Sequence, residues 1–184
     1  MFFFKDDEGI RIGKELIKFV IGVQNSDGSW YYGFDHPNDR FIDNFHTCFV
    51  LKNLIKSNNL IHNKDVEKSI ENGLKYYFNN LYDGEITIPF SHNSRFQFVK
   101  VELYDVAEFL NLLMLFYNNK TYNIELKKVL NKIFNDFYLE PGYFTTRKYK
   151  FFGSNKIPYL RWPQAQLFNY ISNIDLICVE LLEQ

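Results

Sequence analysis

The chain has 184 residues and a net charge of −1 at pH 7, and 19% of its residues are aromatic. A charge this close to zero argues against a general electrostatic affinity for nucleic acid. No apolar run reaches the roughly 20 residues that a transmembrane helix needs, so no membrane span is expected. The length suits one domain with a sizeable core, and we expect residues 1–184 to form a single domain.

The first residues and the cysteines predict a cytoplasmic protein. Phe2, Phe3 and Phe4 are followed by Lys5 and three acidic residues, which is too early for the apolar core of a signal peptide. Each of the two cysteines lies in an apolar helical stretch, as is typical of free thiols in a reducing compartment. No metal or cofactor is expected, because the histidines and cysteines lack ligand spacing and no nucleotide-binding fingerprint is present.

Hydrophobic periodicity predicts six helices along the chain. They cover about residues 9–23, 43–57, 64–81, 101–117, 123–137 and the segment that follows Pro163. The fourth helix is apolar almost all round, which is typical of a helix enclosed by others. The third and fifth helices are amphipathic, with lysine and asparagine on the free face. Outer and inner helices are therefore predicted to alternate.

Three similar units repeat along the chain, each with a glycine-containing turn followed by a helix that begins with polar residues. The turn glycines are Gly28, Gly84 and Gly142, spaced by 56 and 58 residues. His46, Asp105 and Gln164 mark equivalent helix starts and are spaced by 59 residues. A fixed period of this length indicates stacked supersecondary units. The predicted fold is all-α, with three helical hairpins that form an α/α-toroid or a half-toroid arc and bring the polar helix starts to one site.

The start of the second helix supplies the first candidate site residues, Asp43, Asn44 and His46. Histidine titrates near neutral pH and suits acid–base chemistry, so His46 is a candidate catalytic residue. Asp43 and Asn44 are candidate substrate-binding residues. The ordinary alternative is that Asp43 or Asn44 caps the helix and His46 is structural.

The start of the fourth helix supplies Tyr104 and Asp105 as candidate catalytic residues. Asp105 is equivalent to His46 in the repeat, and Glu108 lies on nearly the same helix face. Two carboxylates near one axis divide into acid and base when their environments differ. The alternative is a capping arrangement with a solvated Glu108.

The segment 143–166 concentrates positive charge, because it holds five lysines and arginines and no acidic residue. A basic segment with interleaved aromatic rings suits a negatively charged ligand that also offers sugar rings. The candidate substrate-binding residues in it are Arg147, Lys148, Arg161, Trp162 and Gln164. Arg161 is the leading candidate, because a guanidinium binds a carboxylate or phosphate through two hydrogen bonds. A solvated basic surface and an RNA contact are the alternatives.

Several motifs resemble those of known toroid proteins. The turn 27–30 (DGSW), preceded by Gln24, resembles turns of squalene-cyclase-like and prenyltransferase-like folds. The stretches 41–47 (FIDNFHT), 103–108 (LYDVAE), 147–152 (RKYKFF) and 156–166 (KIPYLRWPQAQ) resemble an α/α-toroid family associated with bacterial and archaeal surface-polysaccharide biosynthesis. The resemblance covers nearly the whole chain. It implies a toroid fold and a glycan context without specifying a reaction.

The resemblance implies a glycan-processing or glycan-binding protein whose ligand is a saccharide or sugar phosphate at the inner-helix starts. An enzyme of this kind would be a glycoside hydrolase that uses two of Asp43, Asp105 and Glu108. It could instead be a polysaccharide lyase, in which Asn44 or Arg161 neutralises a carboxylate and Tyr104 or His46 takes a proton. A non-catalytic scaffold and an isoprenoid-type toroid are the alternatives, and the absence of Asp-rich motifs disfavours the latter.

A closed toroid has six hairpins, whereas this chain supplies three. The resemblance therefore implies a C-terminal half, an open arc, or a homo-oligomer or partner chain that completes the ring. Phe2, Phe3 and Phe4 and the apolar tail 174–182 are the predicted contacts.

Overall fold

The computed structural model describes residues 7–91, 98–116 and 118–182, with side chains up to Ile174. Six α-helices and five short strands alternate irregularly along these residues. The helices are α1 (Asp7–Gly22), α2 (Asn44–Ile61), α3 (Lys64–Asn80), α4 (Leu103–Met114), α5 (Lys120–Asp136) and α6 (Ala165–Leu182). The strands are β1 (Val99–Glu102), β2 (Tyr138–Leu139), β3 (Tyr143–Phe144), β4 (Arg147–Tyr149) and β5 (Ser154–Asn155). A 3₁₀ turn (Pro37–Asp39) precedes α2, and a π-helical turn (Leu160–Gln164) precedes α6.

The predicted all-α fold, three helical hairpins in an α/α-toroid or half-toroid, is wrong, because two antiparallel sheets accompany the helices. One sheet has the order β1-β4-β5, with Glu102 opposite Arg147 and Val101 opposite Lys148. The second sheet pairs β2 with β3. The prediction extended the fourth helix back to Val101, although valine is well suited to strands. Strands β1 and β4 are far apart in sequence, so helical periodicity carries no signal of their pairing.

The six helices themselves are confirmed, and α4 is enclosed as predicted. Nine of its twelve residues are buried, and it packs against α2, α5 and α6. The third and fifth helices bury one face each, as their amphipathic patterns predict. Val66, Ile70 and Tyr77 lie on the buried face of α3, and Val129 and Ile133 on that of α5.

The three glycine turns of the repeat share a backbone feature. Gly28, Gly84 and Gly142 all have positive φ angles, at 94°, 91° and 128°. At Gly28 the chain also passes close to α3, where an added Cβ would lie 2.3 Å from the Asn72 carbonyl oxygen. Glycine is therefore required at this position both for its φ angle and for space.

Part of the predicted partner contact lies outside the described residues. This applies to Phe2, Phe3 and Phe4, and to the side chains of the apolar tail beyond Ile174, including Cys178. Cys48 is buried and forms no disulfide. Within the described ranges, no helix combines the length and the apolar character needed to cross a bilayer.

Candidate functional site

The starts of α2 and α4 and the π-helical turn before α6 meet in space around the ring of Phe45. The centroid of this ring lies 5.2 Å from that of His46, 5.3 Å from that of Tyr104 and 6.0 Å from that of Trp162. The ring of Tyr32 adds an edge contact to His46, with centroids 4.7 Å apart. Aromatic packing therefore brings residues from all three predicted clusters together.

A cleft of about 730 Å³ opens beside this aromatic cluster. Strands β1, β4 and β5 form one side of the cleft, and the segment 158–163 forms the other. The lining includes six side chains that carry a charge, a hydroxyl group or an indole ring, namely Glu102, Tyr104, Arg147, Tyr159, Arg161 and Trp162. Glu102 and Tyr159 were not among the predicted site residues. Their shared position became apparent only from the pairing of β1 with β4 and the path of the following segment.

Arg147 and Glu102 form an ion pair between β4 and β1 in the cleft. Glu102 is buried, whereas the Arg147 side chain is 37% exposed. Burial raises the pKa of Glu102, and the hydrogen bond from Arg147 opposes that shift. Glu102 Oε2 and Arg147 Nε find no hydrogen-bond partner among the described residues. The pair is thus held in place by the sheet, and its hydrogen-bonding capacity is incompletely used.

Arg161 and Trp162 project from the π-helical turn and are exposed. Trp162 is 57% exposed, so much of its ring is open to solvent although its neighbour in the cluster is Phe45. Arg161 forms no ion pair with any residue in the described part of the chain. Within the described residues, the cleft therefore offers a guanidinium that forms no ion pair, next to an indole ring that is more than half exposed.

Asp43 has two roles at the start of α2. Its Oδ1 accepts a hydrogen bond from the His46 backbone nitrogen at 2.7 Å, so Asp43 caps the helix, as the structural alternative predicted. Its Oδ2 also lies 2.8 Å from His46 Nδ1, and the His46 side chain is 49% exposed. Because the buried carboxylate occupies Nδ1, Nε2 is the ring nitrogen left for proton transfer. His46 belongs to the ring cluster around Phe45 and does not itself line the cleft.

Asp105 follows Tyr104 in the chain and is buried, at 1% exposure. Its Oδ2 has no hydrogen-bond partner within the described ranges. Burial raises the pKa of Asp105 well above its usual value, and the like charges of Glu102 and Asp43 add to the effect. Burial likewise raises the pKa of Tyr104. Both groups are therefore held in their protonated forms over a wider pH range than in water.

Three predicted substrate-binding residues make their contacts away from the cleft. Asn44 is fully buried; its Nδ2 donates to the Leu81 and Ile88 carbonyl oxygens at 2.8 and 3.1 Å. The Gln164 side-chain amide exchanges two hydrogen bonds with the Phe144 backbone. Lys148 extends over the Phe137 ring, 4.4 Å from its centroid. Asn44 and Gln164 join elements around the site, and Lys148 packs against Phe137 at the C-terminal end of α5.

A buried charged network one turn further along α4 was not predicted. The alternative of a solvated Glu108 is wrong, because Glu108 is buried in this network. Lys52 of α2 forms an ion pair with Glu108, whose Oε1 accepts from the Tyr170 hydroxyl at 2.7 Å. Gln166 donates to the same oxygen at 3.3 Å. A lysine among buried apolar positions of α2 was the available signal, because buried lysines are nearly always paired.

The described residues contain no group of three or more histidine, cysteine, aspartate or glutamate side chains able to hold a metal ion. Comparison with models of protein families finds no match, and comparison with curated proteins finds no significant similarity.

Proposed function

We propose that the cleft binds an acidic or phosphorylated saccharide. The observation that carries this proposal is the position of Arg161, a guanidinium without a carboxylate partner in the described structure, beside the exposed ring of Trp162. A guanidinium binds a carboxylate or phosphate through two parallel hydrogen bonds. An exposed aromatic face packs against the apolar face of a sugar ring. Both groups are available in one cleft.

The size and charge of the cleft support the same ligand class. A volume of about 730 Å³ lies within the range of small-molecule sites, which is roughly 300–1,000 Å³. Arg147 adds a second guanidinium, although Glu102 offsets much of its charge. The segment 143–166, which forms most of the lining, contains no acidic residue that would repel an anion.

We extend the proposal to a cytoplasmic step of polysaccharide biosynthesis. Its support is the resemblance of the stretches 41–47, 103–108 and 156–166 to proteins of that context. Two of these stretches contribute Tyr104, Arg161 and Trp162 to the cleft, and the first contributes Phe45 to the adjoining ring cluster. The buried free thiol of Cys48 suits a reducing compartment.

Calorimetric titration with a uronate oligosaccharide tests the binding proposal. The wild type is expected to bind the acidic oligosaccharide and to bind its methyl-esterified form much more weakly. Arg161→Ala should weaken binding of the acidic form about tenfold to a hundredfold, because a hydrogen bond to a charged group contributes about 1.5–3 kcal/mol.

Lys156→Ala is the matched control, since Lys156 is an exposed cation of the same segment that does not line the cleft. It should leave the affinity within about twofold, as expected for a distant surface charge. Equal affinity of the wild type for the acidic and esterified forms would contradict the proposal. So would equal losses in the two variants.

A second candidate function is β-elimination of a uronate, and the His46–Asp43 pair favours it. In this step Arg161 neutralises the carboxylate, and His46 Nε2 takes the proton from the adjacent carbon. The bond to the glycosidic oxygen breaks, a carbon–carbon double bond forms, and the leaving oxygen takes the Tyr104 hydroxyl proton. Hydrolysis by two carboxylates has less support, because Glu108 is paired with Lys52 and Asp105 is buried.

Ultraviolet absorbance of the unsaturated uronate distinguishes these reactions. A lyase produces this absorbance together with new reducing ends, and His46→Gln should lower the rate by about a hundredfold or more because the base is lost. The binding affinity of His46→Gln should change little. New reducing ends without the absorbance would instead indicate hydrolysis. The absence of both signals would indicate a protein that binds the saccharide without cleaving it.

A further inference from the structure

The turn between β4 and β5 presents a group of exposed phenylalanines. The Tyr149 backbone nitrogen donates to the Gly153 carbonyl oxygen at 2.9 Å and closes the turn. The Lys150 nitrogen donates to the Phe98 carbonyl oxygen, also at 2.9 Å, which ties the residue before β1 to this turn. Backbone hydrogen bonds therefore fix Phe98, Phe151 and Phe152 at one end of the three-stranded sheet.

These three side chains contribute little to the protein core. Phe98 is 64% exposed, Phe151 75% and Phe152 78%. The rings of Phe151 and Phe152 contact each other edge to face, with centroids 6.4 Å apart. Single exposed apolar residues are common, but a cluster of large ones on an ordered turn marks an interaction surface.

The charges beside this turn are positive. Lys100 and Lys150 are exposed, and neither forms an ion pair with a residue of the described ranges. Val99, next to Lys100, is paired with Tyr149, next to Lys150, so the two lysines lie near the same end of the sheet. Exposed phenylalanines are buried at the boundary between the headgroups and the acyl chains of a bilayer, and lysines beside them attract anionic lipid headgroups.

We propose that this phenylalanine turn (Phe98, Lys150, Phe151 and Phe152, with Lys100) docks onto an anionic lipid surface. The aromatic rings enter the headgroup region, and the two lysines pair with lipid phosphates. The small size of the turn favours a bilayer over a protein partner. A stable protein interface buries at least about 1,000 Å², far more than a tight turn supplies, whereas a bilayer deforms around a small apolar projection.

Vesicle co-sedimentation tests this docking. The wild type is expected to bind mixed phosphatidylglycerol–phosphatidylcholine vesicles and to bind pure phosphatidylcholine vesicles far less. The double substitution Phe151→Ser and Phe152→Ser should lower binding to the mixed vesicles by about tenfold or more. The variant lacks the apolar rings whose transfer from water into the bilayer favours binding. Lys100→Ala with Lys150→Ala should lower it about fivefold for each lysine at low salt.

Leu60→Ser is the matched control, because Leu60 is 70% exposed but lies at the end of α2. It should bind vesicles like the wild type. All variants should melt near the wild-type temperature, since each altered side chain is exposed. Uronate binding by the double phenylalanine variant should be unchanged, which separates this proposal from that for the cleft.

Three results would overturn the docking proposal. The first is a wild type that does not bind anionic vesicles or binds neutral vesicles equally well. The second is unchanged vesicle binding by the double phenylalanine variant. The third is a wild type whose self-association, measured by light scattering, is lost in that variant without any vesicle binding, because the turn would then be a contact between protein chains.

Discussion

Two layers of side chains surround Glu108 and Asp105, which lie one turn apart on α4. The two layers place a buried carboxyl group in opposite electrostatic environments. Glu108 has an ion pair with Lys52 and hydrogen bonds from Tyr170 and Gln166. Asp105 has like charges nearby and an oxygen without a partner within the described structure. Both carboxyl groups are almost completely buried. Burial alone therefore does not distinguish a structural carboxylate from a chemically poised one.

The difference indicates what each layer contributes. The Glu108 network joins α2, α4 and α6 through one ion pair and two hydrogen bonds to the Glu108 carboxylate, and such a network fixes how helices pack. The Asp105 layer, with Asp43 and Glu102, carries more carboxylates than the single guanidinium of Arg147 neutralises. This imbalance favours a protonated Asp105 behind the cleft. The layer that lacks charge balance is the one that adjoins the candidate site.

The largest expected effect comes from breaking the balanced layer. Lys52→Met removes the cation that neutralises Glu108 and leaves a buried charge without its partner. The free energy of unfolding should fall by about 3–5 kcal/mol, as measured by urea denaturation.

The double variant Lys52→Met/Glu108→Leu is the control, because it removes both charges. It should recover most of the lost stability, since an apolar pair replaces a buried ion pair at little cost. A double variant less stable than Lys52→Met would show that packing, rather than charge balance, explains the loss.

A smaller effect, of opposite sign, is expected in the unbalanced layer. Asp105→Asn removes an ionisable group whose pKa is raised in the folded state. With a folded pKa above the unfolded value of about 4, the wild type is most stable below that pH. Its stability then falls as the pH rises through the interval up to the folded pKa.

Asparagine does not titrate, so Asp105→Asn should lack this fall and gain on the wild type as the pH rises. The difference in unfolding free energy should grow by up to about 1.4 kcal/mol for each pH unit between the unfolded and the folded pKa of Asp105. Urea denaturation at a series of pH values gives the comparison. Parallel pH profiles for the two proteins would show that Asp105 is not the source of the pH dependence.

Local sequence signals predicted the parts of the molecule that depend on local physics. All six helices follow from hydrophobic periodicity, because helical hydrogen bonds link residues four apart. The starts of α2 and α4 and the turn before α6, which the repeat spacing treats as equivalent, lie together around Phe45. The same spacing did not give side-chain direction, which is why Asn44 and Gln164 contact backbone while Arg161 and Trp162 line the cleft.

The helices, the positive-φ glycine turns and the enclosed position of α4 follow from the local sequence, since each depends on neighbours in the chain or on overall apolar character. The pairing of β1 with β4, and with it the fold class and the cleft, depends instead on contacts between distant parts of the chain. That pairing places Arg147 beside Glu102 and sends Lys148 to the other face of the strand. Strand partners lie far apart in sequence, and the register that joins them determines which side chains meet.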